Sequence, residues 1–269
     1  MRLIACLMLI ASVVAAQDDQ RPRPSPAKVD PIFFELAAKS GGDIYFWAPG
    51  EFATARLQVP IHHDDVVLSY GSLQSKRRFE IPVETGVSEM TLFAGMERKD
   101  LAVLVRPDGT VAHDGDRGAE IQVFQRMLIA KITAPAAGIW KLEVDGAGAY
   151  AVTAHVKAAA SGPDLDRFEL VERGGRPGHE GMFPIKRPLR AGESLACQVE
   201  VSGSAREVEL AFVTKDGSLI GTTELTPDGE GEYDGRCTVP KTPFRALVRG
   251  VDGSGARFQR IESHLRDVP

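Results

Sequence analysis

From about residue 65 to the C-terminus, apolar and polar residues alternate in short runs separated by glycine, proline and aspartate, the pattern of half-buried strands. Trp140, Leu142 and Val144 alternate with Lys141, Glu143 and Asp145. Beyond Gly146-Ala147-Gly148, the residues Tyr150, Val152, Ala154 and Val156 alternate with Ala151, Thr153, His155 and Lys157. The period alone predicts an antiparallel hairpin turning at the glycines, with Trp140 and Tyr150 on the core side. Further strands are predicted at 65–70, 77–83, 88–94, 100–106 and 121–133, divided by turn signals such as Pro107-Asp108-Gly109 and Asp114-Gly115-Asp116. Short strands at this density predict a β-sandwich over residues 65–160.

A break falls at Ser161-Gly162-Pro163, followed by a glycine-rich stretch from Arg173 to Gly181. The same grammar then returns. Leu195, Cys197, Val199 and Val201 share one parity, as do Val208, Leu210 and Phe212, and Phe244, Ala246 and Val248. Asp216-Gly217, Asp228-Gly229 and Asp252-Gly253 are hairpin signals, so a second sandwich is expected over 165–265.

The N-terminal part is patterned differently. Arg2 precedes an apolar run from Leu3 to Val14 and the small residues Ala15-Ala16, a secretory signal peptide expected to be cut after Ala16 and to carry Cys6 away with it. The run is too short for a span, which needs about 20 residues. Residues 17–30 are polar and rich in proline and read as a flexible leader. Asp30-Pro31 then opens a helix that should stop at Gly41-Gly42 and dock Ile32, Phe33 and Leu36 on the first sandwich. Asp43 to Trp47 is expected to form a short strand, completing a helix-turn-strand segment at 31–52.

Composition narrows the function class. A chain of 269 residues, 43% hydrophobic and 26% charged, fills two modest cores and is neither disordered nor membrane-spanning in its main theme. Its net charge of −5 and pI near 5.7 offer no attraction for nucleic acid or an acidic membrane.

Chemistry-bearing residues are present but poorly arranged. His62-His63-Asp64-Asp65 puts four metal-ligating types in a row, yet neighbours on an extended segment point to opposite sides, and a solvated loop is expected. Asp228, Glu230, Glu232 and Asp234 alternate as in the opening of a calcium loop, but Val239 stands where that loop needs its closing Glu. They read as an acidic hairpin tip, and Asp114 and Asp116 read the same way. No G-x-S-x-G or H-E-x-x-H occurs, and His179-Glu180-Gly181 lacks a second histidine. No catalytic, cofactor-binding or metal-ligating residue is therefore assigned, and no cofactor is expected. If an exposed aromatic anchor exists, Phe46-Trp47 or Phe183 is the place for it.

Several stretches together resemble hemicentin-type extracellular proteins. They are Ile81-Pro82, Pro107-Asp108-Gly109, Pro135 with Gly138-Ile139-Trp140, Gly148-Ala149-Tyr150-Ala151-Val152, Val239-Pro240, Pro243-Phe244 and Phe258-Gln259-Arg260. In that family this region follows a von Willebrand factor A domain, and Leu36 to Tyr45 is similar to such a domain's last helix, glycine turn and strand. The family's metal-binding D-x-S-x-S loop is missing, since Asp252-Gly253-Ser254-Gly255-Ala256 fails at its last position. The resemblance therefore implies contacts with extracellular proteins but not metal-dependent adhesion.

The sequence thus predicts an all-β protein of two tandem immunoglobulin-like sandwiches behind a short helix-strand segment. It reads as a secreted, non-enzymatic binding or structural module, extracellular or periplasmic, with an extracellular or envelope protein as partner. The alternative is a carbohydrate-binding accessory or a hydrolase with a loop-built site. Cys197 and Cys237, the cysteines left after processing, lie on the apolar parity of their strands and are expected to form a disulfide.

Overall fold

A computed structural model describes residues 29–56 and 64–269, so the expected signal peptide, most of the expected leader, His62 and His63 lie outside the described residues. The described chain is mostly β, with two antiparallel sheets and one α-helix. No helix among the described residues is long and apolar enough to cross a membrane.

The first sheet contains β1 (Asp64–Leu73), β2 (Arg77–Val83), β3 (Glu89–Val105), β4 (Ala119–Val123), β5 (Met127–Thr133) and β6 (Gly138–Lys157). Its order is β1-β6-β3-β5-β4, with β2 also on β6. The hairpin expected at Gly146-Ala147-Gly148 is not formed: β6 runs straight through it, and β3 likewise merges the strands expected at 88–94 and 100–106. The two strands pair along their length with bulges in β3 between Met96 and Leu101, opposite the glycines. At Gly146 a Cβ would fall on the Arg98 carbonyl, so glycine lets the bulged strand approach and the ribbon bend without breaking. The bend folds both halves over one core, into which Trp140, Leu142, Tyr150 and Val152 point from one parity of β6. The single strand expected at 121–133 divides into β4 and β5.

The second sheet runs β14-β13-β10-β11-β12-β9-β7-β8. In chain order it comprises β7 (Asp164–Arg176), β8 (His179–Pro184), β9 (Ser194–Ser202), β10 (Ala205–Val213), β11 (Leu219–Pro227), β12 (Glu232–Thr238), β13 (Arg245–Asp252) and β14 (Arg257–Ile261). β11 pairs with β10 through Leu219 to Glu224 and with β12 through Leu225 to Pro227, so it links two halves that face each other. Phe168 of β7 meets Phe212 of β10 across the core at 6.1 Å.

The bridge expected between Cys197 and Cys237 is not formed here; both are free, buried thiols. Register gives the reason. Gly235 stands opposite Cys197 and Leu195 opposite Cys237, so the cysteines are diagonal neighbours on β9 and β12. Diagonal residues lie roughly 7–8 Å apart, beyond what a disulfide spans without backbone movement. The hydrogen bond shared with Cys237, together with burial, pushes the Cys197 thiol well above its ordinary range.

Helix α1 (Ile32–Ser40) starts with the Ile32 N–H on the Asp30 carboxylate at 3.0 Å and ends at Gly41 in the left-handed conformation. It packs on the first sheet by a different face from the one expected. Phe34, Ala37 and Ala38 are buried, whereas Ile32 and Leu36 stay half in water at 55% and 50% exposure. The strand expected at Asp43–Trp47 is not formed either. That segment crosses the outer face of the sheet and makes ring contacts in place of a backbone ladder. Tyr45 meets Phe93 edge-on at 5.2 Å, and Phe46 lies on Gly95, where a Cβ would sit 2.5 Å from the ring.

Candidate interaction surfaces and buried charge at the junction

The two β units meet through an apolar layer of Leu68 from β1 with Ala211, Val213, Leu247 and Ile261 from the second unit. β1 is an edge strand, and the second unit covers it. The Tyr70 N–H donates to the Lys215 carbonyl at 2.9 Å, Ser69 Oγ to the Asp216 carbonyl at 2.6 Å, and Gln259 Nε2 to the Val66 carbonyl at 2.7 Å. Asp252, from the β13–β14 turn, accepts the Thr85 N–H at 2.9 Å. Burial opposes its ionisation, but bonds from Ser254, Thr85 and Ala256 hold its pKa down at about 2.

Arg260 of β14 is the charged centre of this junction. It is 1% exposed and reaches into the first unit, where its guanidinium bonds Glu84, itself 0% exposed, and it also donates to the Pro163 carbonyl at 2.7 Å. Its Nε lies 3.3 Å from Asp64 and 3.8 Å from Asp164. One cation thus faces three carboxylates drawn from both units, Asp64 and Glu84 from the first and Asp164 from β7 of the second. Burial raises Asp64 to about 7, with Asp164 and Glu84 adding to the rise and Arg260 opposing it. A carboxyl raised by folding contributes stability that is full below its ordinary pKa near 4 and lost as pH rises through about 7. Asp64→Asn should therefore match the wild type in urea unfolding at pH 4 and exceed it above pH 7; equal curves at both pH values would contradict this charge assignment.

A second cluster holds the N-terminal segment. His155 of β6 is 6% exposed and lies between two carboxylates, with Nδ1 at 2.8 Å from Asp65 and Nε2 at 3.4 Å from Asp43. Burial alone would lower the imidazole, but Asp43 and Asp65 outweigh it and push its pKa up to about 10, so the ring is an imidazolium at neutral pH. Nearby, the Arg245 guanidinium of β13 sits over the Tyr70 ring at 5.3 Å and is 0% exposed. The Ala38 carbonyl near the helix C-terminus accepts from Arg245 at 3.4 Å and from the Leu265 N–H at 2.9 Å, a favourable place for a cation. The Tyr70 hydroxyl donates to the Gly42 carbonyl at 3.0 Å, so first unit, helix and C-terminal tail share one polar seam.

Two clefts open beside the seam. One, of about 280 Å³, is lined by Asp64, Asp164, Asp166, Arg260, Ser263 and His264. Ser263 Oγ lies 3.4 Å from His264 Nδ1, but Ser263 is 9% exposed and packs against Gly41. The other, of about 240 Å³, has Leu68, Val213 and Leu247 on its floor and Arg77, Arg249 and Asp216 on its rim. Each of these three is already engaged: Arg77 with Tyr150 and the Asp216 carbonyl, Arg249 with Glu209 at 2.8 Å, and Asp216 with Thr214.

Of the residues singled out in the sequence, Trp140 and Tyr150 lie in the core at 2% and 0% exposure. Asp116 pairs with Arg106, and Asp114 accepts the Ile121 N–H at 2.9 Å. Asp228, Glu230, Glu232 and Asp234 occupy the β11–β12 turn and the start of β12, with Asp234 bonded to Gln198. Asp64 and Asp65 belong to the two buried charge clusters rather than to a loop. No group of three or more His, Cys, Asp or Glu among the described residues is arranged to hold a metal ion. Sequence reading missed Glu84, His155, Arg245 and Arg260.

The exposed aromatic sites divide. Phe46 is buried, and Trp47 is half-buried between Phe124 at 5.3 Å and Phe52 at 5.7 Å, beside exposed Val123 on edge strand β4. Phe183 lies on a two-stranded arm. Residues Glu172–Arg176 of β7 pair only with β8, and β8 ends the sheet. Met182 and Phe183 on this arm are 45% and 46% exposed.

No family model matches the chain, and no curated protein matches it in sequence. Among solved structures, a Bacillus licheniformis lipase in its propeptide form aligns over 76% of this chain and 45% of its own, at TM-score 0.31 and 14% identity. Titin domains Z1Z2 in complex with telethonin align over 75% of this chain and 96% of theirs, at 0.24 and 18%. Bifidobacterium dentium β-glucuronidase complexed with coumarin-3-O-glucuronide aligns over 69% and 38%, at 0.26 and 8%. The chain therefore spans less than half of the lipase and of the glucuronidase.

Proposed function

We propose that this protein is a secreted, non-enzymatic contact module. In this reading its two β units are immunoglobulin-like sandwiches locked as one body, and its β7–β8 arm engages protein surfaces in an extracellular or envelope assembly. The observation that carries the reading is the arm, where two large apolar side chains stand in water at the end of the sheet, with no further described strand beyond β8. The signal-like N-terminus and the resemblance to hemicentin-type chains support the setting. A photoreactive phenylalanine analogue at position 183, expressed in the producing cells, tests it. Discrete protein adducts from position 183, absent when the analogue replaces exposed Val123, are expected. Adducts from both positions alike, or none, would overturn the reading.

A hydrolase with a loop-built site is favoured by one observation, the Asp64 carboxyl that titrates near 7 in an open cleft beside Asp164. Against it, Arg260 already occupies the centre of that carboxylate cluster. Turnover of an ester or glycoside by the purified chain, abolished in Asp64→Asn, would decide for the hydrolase.

In an oxidising compartment the proposal carries a disulfide between Cys197 and Cys237, which the β9–β12 register allows only with a shift of the backbone. On the chain-entropy account the bridge adds about 4 kcal/mol, less the strain of that shift. Intact-mass measurement after alkylation of the secreted protein without reductant should show no labelled thiol on the unfolded chain; two labels would contradict the bridge.

A further inference from the structure

We propose that the β8 edge is a homodimerisation site, where β8 of a second copy adds antiparallel about a two-fold axis at Met182. This rests on the reading above only in taking the arm as a contact surface. The Ile185 N–H donates to the Leu170 carbonyl at 3.0 Å, which fixes the alternation along the arm. With Leu170 and Ile185 a hydrogen-bonded pair, Phe183, Gly181 and His179 turn their backbone groups towards β7. Glu180 and Met182 turn theirs outward, away from every described strand. Pro184 turns only a carbonyl outward, having no N–H.

Those free groups and their side chains are self-complementary in one register. Centred on Met182, the two Met182 residues exchange both backbone bonds, and each Pro184 carbonyl accepts the Glu180 N–H of the other copy. On one face Met182 meets Met182, flanked by Arg173, whose charge its own Glu180 answers at 3.2 Å. On the other face Phe183 of one copy comes beside the Gly174–Gly181 pair of the other. That pair is a flat floor on which the chain's own Phe183 already rests, its ring 3.4 Å from a Cβ placed at Gly174 and 3.6 Å from one at Gly181. Glycine at both positions puts no side chain between this floor and an approaching ring. A register centred on Glu180 would set two carboxylates face to face, and one centred on Gly181 would put Glu180 against Met182. An isologous pairing of this kind closes on itself, so it ends at a dimer and builds no fibre.

The contact is small and belongs with weak, reversible interfaces. Sedimentation velocity on the purified chain should show a monomer–dimer equilibrium that shifts with protein concentration into the millimolar range. Met182→Arg, which sets two like charges opposite each other, should weaken dimerisation roughly tenfold or more. Met182→Cys supplies an independent readout, because residues in a hydrogen-bonded antiparallel pair have Cα atoms about 5.5 Å apart, inside the disulfide window. With glutathione disulfide as oxidant, it should give a covalent dimer, while Gly178→Cys at the arm tip should not. A monomer at every concentration, a dimer unaffected by Met182→Arg, or equal cross-linking from both cysteines would overturn the proposal. Protein adducts from position 183 that contain a different chain, with no dimer formed, would overturn it and leave the contact-module reading standing.

Discussion

Replacing Arg260 by Met is expected to destabilise the folded chain by about 3–5 kcal/mol, because it leaves Glu84 as an uncompensated buried carboxylate. Glu84 is 0% exposed, and its guanidinium partner also answers Asp64 and Asp164, so all three carboxylates lose their shared cation at once. Much of that loss is the penalty of the orphaned charge. Adding Glu84→Gln to Arg260→Met should therefore restore part of the stability even though it removes a second native group. Urea unfolding of the two variants beside the wild type checks this. A loss under about 1 kcal/mol for Arg260→Met would mean that water reaches the cluster.

His155→Leu should cost a similar amount at neutral pH, since it leaves Asp43 and Asp65 facing each other without the imidazolium between them. The pH dependence carries the sign. A histidine raised from 6.5 to about 10 on folding contributes stability that is full below its ordinary pKa and lost as pH rises through about 10. The wild type should therefore lose on the order of 4 kcal/mol more than His155→Leu between pH 6 and pH 10. Asp43 acts at the other end. Burial opposes its charge, His155 together with hydrogen bonds from Thr153 and Tyr45 more than offsets that, and its contribution disappears only as pH falls below the ordinary carboxylate range. Parallel stability curves for the two proteins from pH 6 to pH 10 would show that the histidine is neutral in the fold.

The β parity was legible because it follows from burying one face of each strand, and Trp140, Leu142 and Tyr150 lie where it places them. The continuity of β6 was not, because a glycine pair that permits a bend and one that permits a turn read alike. The charge clusters were missed for a related reason: alternation marks a residue as facing away from its own core, but says nothing of what covers the other face. A signal was present. The outward positions early in β6 are Lys141, Glu143 and Asp145, whereas those late in it are Ala151, Thr153 and His155, and Tyr150 to Val156 are buried on both parities. Strands covered on both sides lose their charged face, and here the residues around Asp43 to Phe46 supply the cover. The helix failed more simply. Phe34 and Ala38 form its buried face, four residues apart, but Ile32 and Leu36 share the same spacing, and only the shape of the sheet chooses between them.

The central claim is that the two β units and the N-terminal segment form one rigid body, fused by charge buried at their junction, from which the arm makes contacts. Differential scanning calorimetry of residues 17–269 at neutral pH tests it most directly. One transition, with calorimetric and van't Hoff enthalpies equal, is the predicted result. Two separable transitions, one for each β unit, would contradict it.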